Sequence, residues 1–177
     1  DGTTSILVTG AGGQLGSRLR VCADSRPNVT FIGLGLEALD VCDRAAVFEA
    51  VATHRPDVVI HAAAYTAVDR AESEEPLAHE VNATAVRHVA DACNKAGIPM
   101  VHISTDYVFG DVPRRPLQPT DPTGPVGAYG RTKLAGEEAF LASGVNGALV
   151  RAAWLYDAEG HNFMNTILRL AQTHGTL

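Results

Sequence analysis

No apolar run in this chain approaches the ~20 residues needed to span a bilayer, so a membrane-spanning helix is not expected. Asp1 to Ser5 lacks the basic, apolar and small-residue succession of a secretory leader, and no initiator methionine precedes it. Cysteine is scarce. Cys22, Cys42 and Cys93 are odd in number, far apart and in no metal-ligand spacing, so they read as reduced thiols of an intracellular, cytoplasmic protein, and no metal site is expected. Excess positive charge is also missing. A net charge of −6 argues against a general nucleic-acid binder but permits a small anionic ligand, which needs only a local field. No internal repeat or low-complexity tract is evident.

What is present is ordinary for a globular protein: 46% hydrophobic and 19% charged residues. A length of 177 residues allows one domain with a substantial core and a fragment of a second. Strand and helix patterns alternate throughout. "SILVTG", "VTFIGL", "VVIHAAA", "IPMVHIS" and "GALVRAAWLY" are short apolar runs of the kind buried in parallel sheets. Between them lie helical patterns. Leu15, Leu19 and Cys22 share one face, and Asp43 is placed to cap a helix carrying Val47, Val51 and His54. Val81, Ala85, Val89, Ala92 and Ala96 make a longer stripe that Gly97 ends. "KLAGEEAFL" and "NFMNTILRLAQ" supply the last helices. This alternation predicts an α/β fold with a doubly wound parallel sheet. From Gly110 to Gly127, prolines fall at 113, 116, 119, 122 and 125. An ordered loop over an active site is expected there, with a proline-rich partner ligand as the alternative.

"VTGAGGQLG" places Gly10, Gly13 and Gly16 between the first strand and the first helix. Gly10 permits a tight turn, Gly13 lets backbone approach a pyrophosphate, and Gly16 lets the helix pack close to the sheet. The helix amino terminus then offers unpaired N–H groups to an anion. A ligand-free glycine turn is the plain alternative. A carboxylate at the end of the second strand would select NADH. The strand instead ends in Gly33-Leu34-Gly35, while Arg18 and Arg20 in the first helix are candidates for a 2′-phosphate, so NADH and NADPH both stay open.

"AYGRTKLAGE" sets Tyr129 and Lys133 four residues apart on one helix face. An ammonium beside a phenol stabilises the phenolate and is expected to lower its pKa, so that the phenol can supply a proton to a carbonyl receiving hydride. In "HISTDYVF", Thr105 ends a strand at the carboxyl edge of the sheet, where ligands of open α/β sheets bind. Ser104 and Thr105 satisfying strand-end backbone groups is the bland reading. "VVIHAAA" reaches the same edge, so Ala62, Ala63 and Ala64 would let a cofactor lie against backbone. Tyr65, Thr66 and Val68 would face its ribose and the substrate. Asp69 and Glu72 are expected to start the next helix.

Together "TGAGGQLG", "AAAYTAVDRAE", "STDYVF", "YGRTKLAGE" and "RAAWLY" resemble the dTDP-4-dehydrorhamnose reductase family of extended short-chain dehydrogenases/reductases, over nearly the whole chain. The resemblance implies an NAD(P)-binding Rossmann fold over residues 1–177, with a small substrate domain mostly beyond 177 at roughly 100 further residues. It implies a cytoplasmic enzyme of dTDP-rhamnose biosynthesis that uses NADPH or NADH to reduce the C4 keto group of a dTDP-4-dehydro-6-deoxyhexose. The product would be dTDP-L-rhamnose or a related sugar such as dihydrostreptose, and a homodimer is an assembly open to it. Tyr129 would be the proton donor, Lys133 its electrostatic partner, and Thr105 would orient the pair. Gly10, Gly13, Gln14, Leu15 and Gly16 would hold the pyrophosphate; Asp40 and Val41, in "LDVCD", would meet the adenine; Ala62, Ala63, Ala64 and Tyr65 would flank a ribose. Thr66, Val68, Thr105, Asp106, Tyr107 and Trp154 would contact the dTDP-sugar, although Trp154 also reads as a core aromatic. The family's "YVFDG" stands here as "YVFGD", which puts the loop's entry in question. A non-catalytic regulatory subunit, similar to the beta subunit of methionine adenosyltransferase, is the competing reading. A nucleotide-sugar epimerase or dehydratase is the third.

Overall fold

The computed structural model describes residues 2–110, 115–160 and 162–173. Five strands form one sheet: β1 (Thr4–Thr9), β2 (Val29–Leu34), β3 (Val58–His61), β4 (Met100–Thr105) and β5 (Gly147–Ala152), in the order β2-β1-β3-β4-β5. Every pairing is parallel. The helices are α1 (Gln14–Asp24), α2 (Arg44–His54), the short α3 (Val68–Ala71) and α4 (Glu75–His79), α5 (Ala85–Ala96), α6 (Ala128–Ser143) and α7 (Phe163–Thr173). This is the expected doubly wound sheet. Its order reverses between β1 and β3, and crevices for ligands open at such switch points, outside the strands' carboxyl ends.

The central core lies on one side of the sheet. Leu7, Val59 and Met100 from three neighbouring strands pack with Val47 and Val51 of α2, Val86, Val89 and Cys93 of α5, and Phe140 of α6. Full burial of each such side chain is worth ~1.5–3 kcal/mol. Local sequence sets the ends of these elements. The Asp43 carboxylate accepts the N–H groups of Ala45 and Ala46 at 2.9 and 3.1 Å, capping α2 as expected. Gly97 and Gly144, at φ of 69° and 68°, terminate α5 and α6 in left-handed conformations.

Several boundaries differ from the sequence expectation. "VVIHAAA" is strand only through His61, because Ala62–Ala64 peel away from the ladder where the glycine turn crowds against Ala63. β5 stops at Ala152, and Trp154, at φ 52°, turns the chain out of the sheet. The stripe expected from Val81 to Ala96 is shifted. A π turn over Glu80–Thr84 precedes α5, and its wider winding rotates the buried face to Ala85, Val86, Val89, Ala90, Ala92 and Cys93, leaving Ala96 exposed.

The described residues of the proline-rich stretch line none of the crevice. Pro113 and Asp111 lie outside the described residues, so the inverted "GD" is described only at Gly110. From residue 115 onward Arg115 pairs with Asp121 at 2.7 Å, and Gly124 returns an N–H to the carbonyl of Val108 at 3.0 Å. These bonds tie the loop to itself and to Val108. No helix among the described residues is long and apolar enough to cross a membrane. The three cysteines are free: Cys22 exposed, Cys42 partly buried and Cys93 buried.

Candidate active site

A crevice of about 770 Å³ opens at the carboxyl ends of β1, β3 and β4. Its floor at one end is the glycine turn. Gly10 sits at φ +67°, and a Cβ there would stand 2.6 Å from Ala63 Cα, so only glycine fits this crossing of β1 and β3. A Cβ on Gly16 would stand 2.6 Å from both Ala11 Cα and the Gly10 carbonyl, which is the close helix-to-turn packing expected of that position. Gly12 meets nothing within 4 Å. Gly13 caps α1 with backbone alone, and no acid occupies the first turn, so the helix terminus presents its N–H groups uncompensated.

Every residue given a catalytic, cofactor or sugar contact by the family resemblance lines this one crevice, whereas Arg18, Arg20, Asp69 and Glu72 do not. Gly10, Gly13, Gln14, Leu15 and Gly16 line one end, with Asp40 and Val41 past the end of β2 beside them. Ala62, Ala63, Ala64, Tyr65, Thr66 and Val68 form a wall. Thr105, Asp106, Tyr107, Tyr129 and Lys133 close the other end, and Trp154, 76% exposed, stands at the rim rather than in the core. Leu36, Leu39, Val81 and Ala153 also line it and were missed. Leu36, Leu39 and Ala153 lie outside helices and strands, where an isolated aliphatic residue carries no signal that separates a cleft wall from a core, and Val81 reads as part of a helical core stripe.

The Lys133 ammonium is buried and donates to the Ile103 carbonyl at 2.7 Å. Burial brings its pKa down to about 8, with the Glu137 carboxylate opposing. Tyr129 differs from expectation. Its pKa is raised, foremost by burial, with the Thr105 hydroxyl opposing and Tyr107 and Asp106 adding to the rise. Desolvation prevails at the phenol. The phenol is therefore held protonated, the form that donates. Thr105 Oγ1 donates to Asp106 at 3.2 Å and accepts the Tyr107 N–H at 3.2 Å, and the Tyr107 ring meets Tyr129 edge-on at 5.4 Å.

A second layer holds this end of the crevice. Asn82, inside the π turn, accepts the Tyr65 N–H at 2.9 Å and donates to the Tyr65 carbonyl at 3.1 Å. It also donates to Thr132 at 3.1 Å, whose hydroxyl donates in turn to the Tyr129 carbonyl at 2.9 Å. The Tyr65 hydroxyl donates to Glu74, which pairs with Arg70 at 2.7 Å. Asp69 does lie in the first turn of α3, but Glu72 starts no helix of its own. Its carboxylate accepts the N–H of Ala128 at 2.7 Å and so caps α6 from the end of α3. Arg18 of α1 is tied to Asp157, past the end of β5, at 2.6 Å. Arg20 stacks over Phe31 at 4.6 Å, with its guanidinium close against Gly33. No cluster of three or more His, Cys, Asp or Glu with metal-site geometry occurs among the described residues.

The parallel sheet, the glycine turn and the Tyr/Lys pair at one switch-point crevice define the class: a Rossmann-type domain of the extended short-chain dehydrogenase/reductase kind. Comparison with known proteins narrows this. Residues 4–177 match the family described as RmlD substrate binding domain, and the chain belongs to that family. It is 48% identical over 172 residues to a dTDP-4-dehydrorhamnose reductase of Streptomyces griseus, covering 97% of this chain and 56% of that protein. It is 47% identical over 175 residues to a dTDP-4-dehydrorhamnose reductase of Mycobacterium tuberculosis, covering 96% and 57%. A dTDP-4-dehydrorhamnose reductase from Bacillus anthracis, solved in complex with NADP, superposes with a TM-score of 0.93 at 34% identity, over 98% of this chain and 62% of that one. The chain thus spans little more than half the length of the curated relatives it matches.

Proposed function

We propose that the chain is the dinucleotide-binding and catalytic part of an NAD(P)H-dependent reductase acting on the C4 keto group of a dTDP-4-dehydro-6-deoxyhexose, with dTDP-4-dehydro-L-rhamnose as substrate and dTDP-L-rhamnose as product. The observation that carries this reading is one crevice with an anion-ready glycine turn at one end and Tyr129, Lys133 and Thr105 at the other. The cradle fits a dinucleotide. Gly10 and Gly16 are closed to any side chain, Gly12 is open to the crevice, and the α1 terminus is free of acids. The NADP complex of the Bacillus anthracis relative supports the same reading.

Gly10, Gly13, Gln14, Leu15 and Gly16 would hold the pyrophosphate, Asp40 and Val41 would border the adenine, and Ala62 to Tyr65 would lie along a ribose. A nicotinamide bound there supplies a hydride. Arg20 beside Gly33, with no carboxylate at the end of β2, supports NADPH over NADH. Tyr129 donates its phenolic proton to the carbonyl oxygen as that oxygen gains charge. Lys133 stabilises the phenolate left behind, and Thr105 orients phenol and substrate oxygen. Asp106, Tyr107, Thr66, Val68 and Trp154 border the space left for the sugar nucleotide. Much of the rate would come from holding the sugar C4 in near-attack geometry.

The test is oxidation of NADPH and of NADH by the full-length protein with dTDP-4-dehydro-L-rhamnose. Rapid, substrate-dependent oxidation is expected. Tight NADP binding without turnover on any dTDP-4-keto sugar would overturn the reductase and favour a regulatory subunit.

A further inference from the structure

Helix α6 meets the end of β4 through three side chains spaced one turn apart. Tyr129 stands beside Thr105, Lys133 donates to the Ile103 carbonyl at 2.7 Å, and Glu137 accepts the Ser104 hydroxyl at 2.6 Å. The first two line the crevice; Glu137 does not, and it is 2% exposed. A carboxylate so buried costs several kcal/mol of desolvation unless it is paired and fully hydrogen-bonded. Its partner is Arg151 of β5, which donates from Nε at 2.8 Å and from Nη2 at 2.6 Å. Arg151 is the register partner of Ser104 across β4 and β5. Its remaining Nη1 donates to the Pro119 carbonyl at 2.9 Å, and its guanidinium lies over the Phe109 ring at 4.8 Å. One ion pair therefore joins the catalytic helix, the strand ending in Thr105, the strand leading to Trp154, Phe109 just before the proline-rich loop, and Pro119 within it.

We propose that Glu137 and Arg151 are a positioning pair for the reaction: they set the register of α6 against β4 and keep a negative charge one turn from Lys133. This rests on the proposed reductase function. Stability alone is a weak account of the pair, because apolar replacement of a whole buried ion pair is often neutral or stabilising. Geometry at Tyr129 is a stronger one, because a shift of about 1 Å at a reacting group can cost on the order of 10²-fold in rate. The groups around the Lys133 ammonium are few. His61 and His102 face it from β3 and β4 and oppose it in charge only if protonated, Tyr129 and Glu137 share its helix, and Glu137 supplies the negative charge that offsets burial.

The experiment uses the full-length protein with Glu137→Gln, and with Glu137→Met/Arg151→Met, which leaves no unpaired buried charge. The Lys133 titration is followed by ¹³Cε NMR, and kcat, KM and NADP⁺ affinity are measured alongside. For Glu137→Gln the expected result is a Lys133 midpoint below the wild-type value near 8, kcat reduced ~10-fold or more, and NADP⁺ affinity within about twofold of wild type. If that variant does not fold, the paired replacement is expected to show the same three changes. An unshifted Lys133 midpoint, or wild-type kcat in either folded variant, overturns the proposal. Absence of turnover in the wild-type protein instead sinks the reductase reading, and the NMR titration still decides the role of the pair.

Discussion

Glu72 caps α6 from outside it: its carboxylate accepts the Ala128 N–H at 2.7 Å, one residue before Tyr129. The wall of the crevice formed by residues after β3 is thereby fastened to the helix that carries the Tyr/Lys pair. Gly127, the N-cap position, has no side chain to do this. Removing such a cap costs ~1 kcal/mol. Glu72→Ala is therefore expected to lower the urea-unfolding free energy by about that amount and to reduce kcat while NADP⁺ affinity holds. Unchanged stability in urea titrations would show that Arg131, which bridges Glu72 and Glu75, secures the helix alone.

Tyr129 bears the proton-transfer prediction. General acid catalysis by a positioned side chain is worth ~10²–10⁴-fold. Tyr129→Phe removes only the hydroxyl from a ring already held against Tyr107. The expected outcome is kcat lowered by that range, with NADP⁺ binding retained in calorimetry. Normal turnover would mean that another group protonates the substrate oxygen.

The fold and the members of the site were legible because each had a local signature. Gly10 and Gly16 sit at a strand–helix junction where a Cβ has no room, and Asp43 announces a helix by its position before an apolar stripe. The contacts that hold the site were not legible. Glu72 meets Ala128 across 56 residues, and Asn82 meets Thr132 across 50. Such pairings depend on which helices the sheet brings together. The π turn was hidden as well. A helical stripe and the same stripe with one residue inserted differ only in phase, and the alanines at 83, 85, 90, 92 and 96 tolerate either. The loop from Gly110 to Gly127 is described only in part, at Gly110 and from residue 115 onward. Its prolines and length suggested an ordered loop over the active site; its described residues bond among themselves and line none of the crevice.

Lys133 makes the reaction sensitive to alkaline pH. Its pKa is lowered to about 8 by burial, so the ammonium is present at pH 7 and is lost as pH rises through that value. Activity that depends on the charged form should be level near neutrality and fall about tenfold per pH unit well above 8. A pH–kcat profile measured with saturating cofactor checks this. A flat profile to pH 10 would show that the charge of Lys133 is dispensable.

Arg20 is the test of cofactor choice. It lies against Gly33 at the end of β2, where a carboxylate would select the unphosphorylated ribose. Charge-assisted hydrogen bonds contribute ~1.5–3 kcal/mol, so Arg20→Ala is expected to weaken NADP⁺ binding ~10-fold or more while leaving NAD⁺ nearly unaffected. Equal losses for both cofactors in fluorescence titrations would place the 2′-phosphate elsewhere.

His61 and His102 stack in the interior at 5.6 Å, and both are fully buried. Burial pushes His61 down to about 3 and His102 to about 2, with Lys133 adding to both and the His61 ring adding to His102. In the unfolded chain each would titrate near 6.5. Between those values the unfolded state binds protons that the folded state refuses, so stability present above pH 6.5 is lost as pH falls toward 3. The loss between pH 7 and pH 5 is about 2 kcal/mol for each histidine. The two rings are not equivalent to mutation. His61 Nδ1 is bonded to the Thr9 hydroxyl at 2.8 Å, so replacing it strands that hydroxyl. Neither ring nitrogen of His102 has a hydrogen-bond partner among the described residues, so an apolar side chain of similar size leaves nothing unpaired. His102→Leu is therefore expected to be neutral or stabilising at pH 7 and to remove about half of this histidine-driven acid loss. Urea midpoints at pH 7, 6 and 5 measure it directly. An acid loss as large in the variant as in the wild type would mean that His102 is protonated in the folded protein.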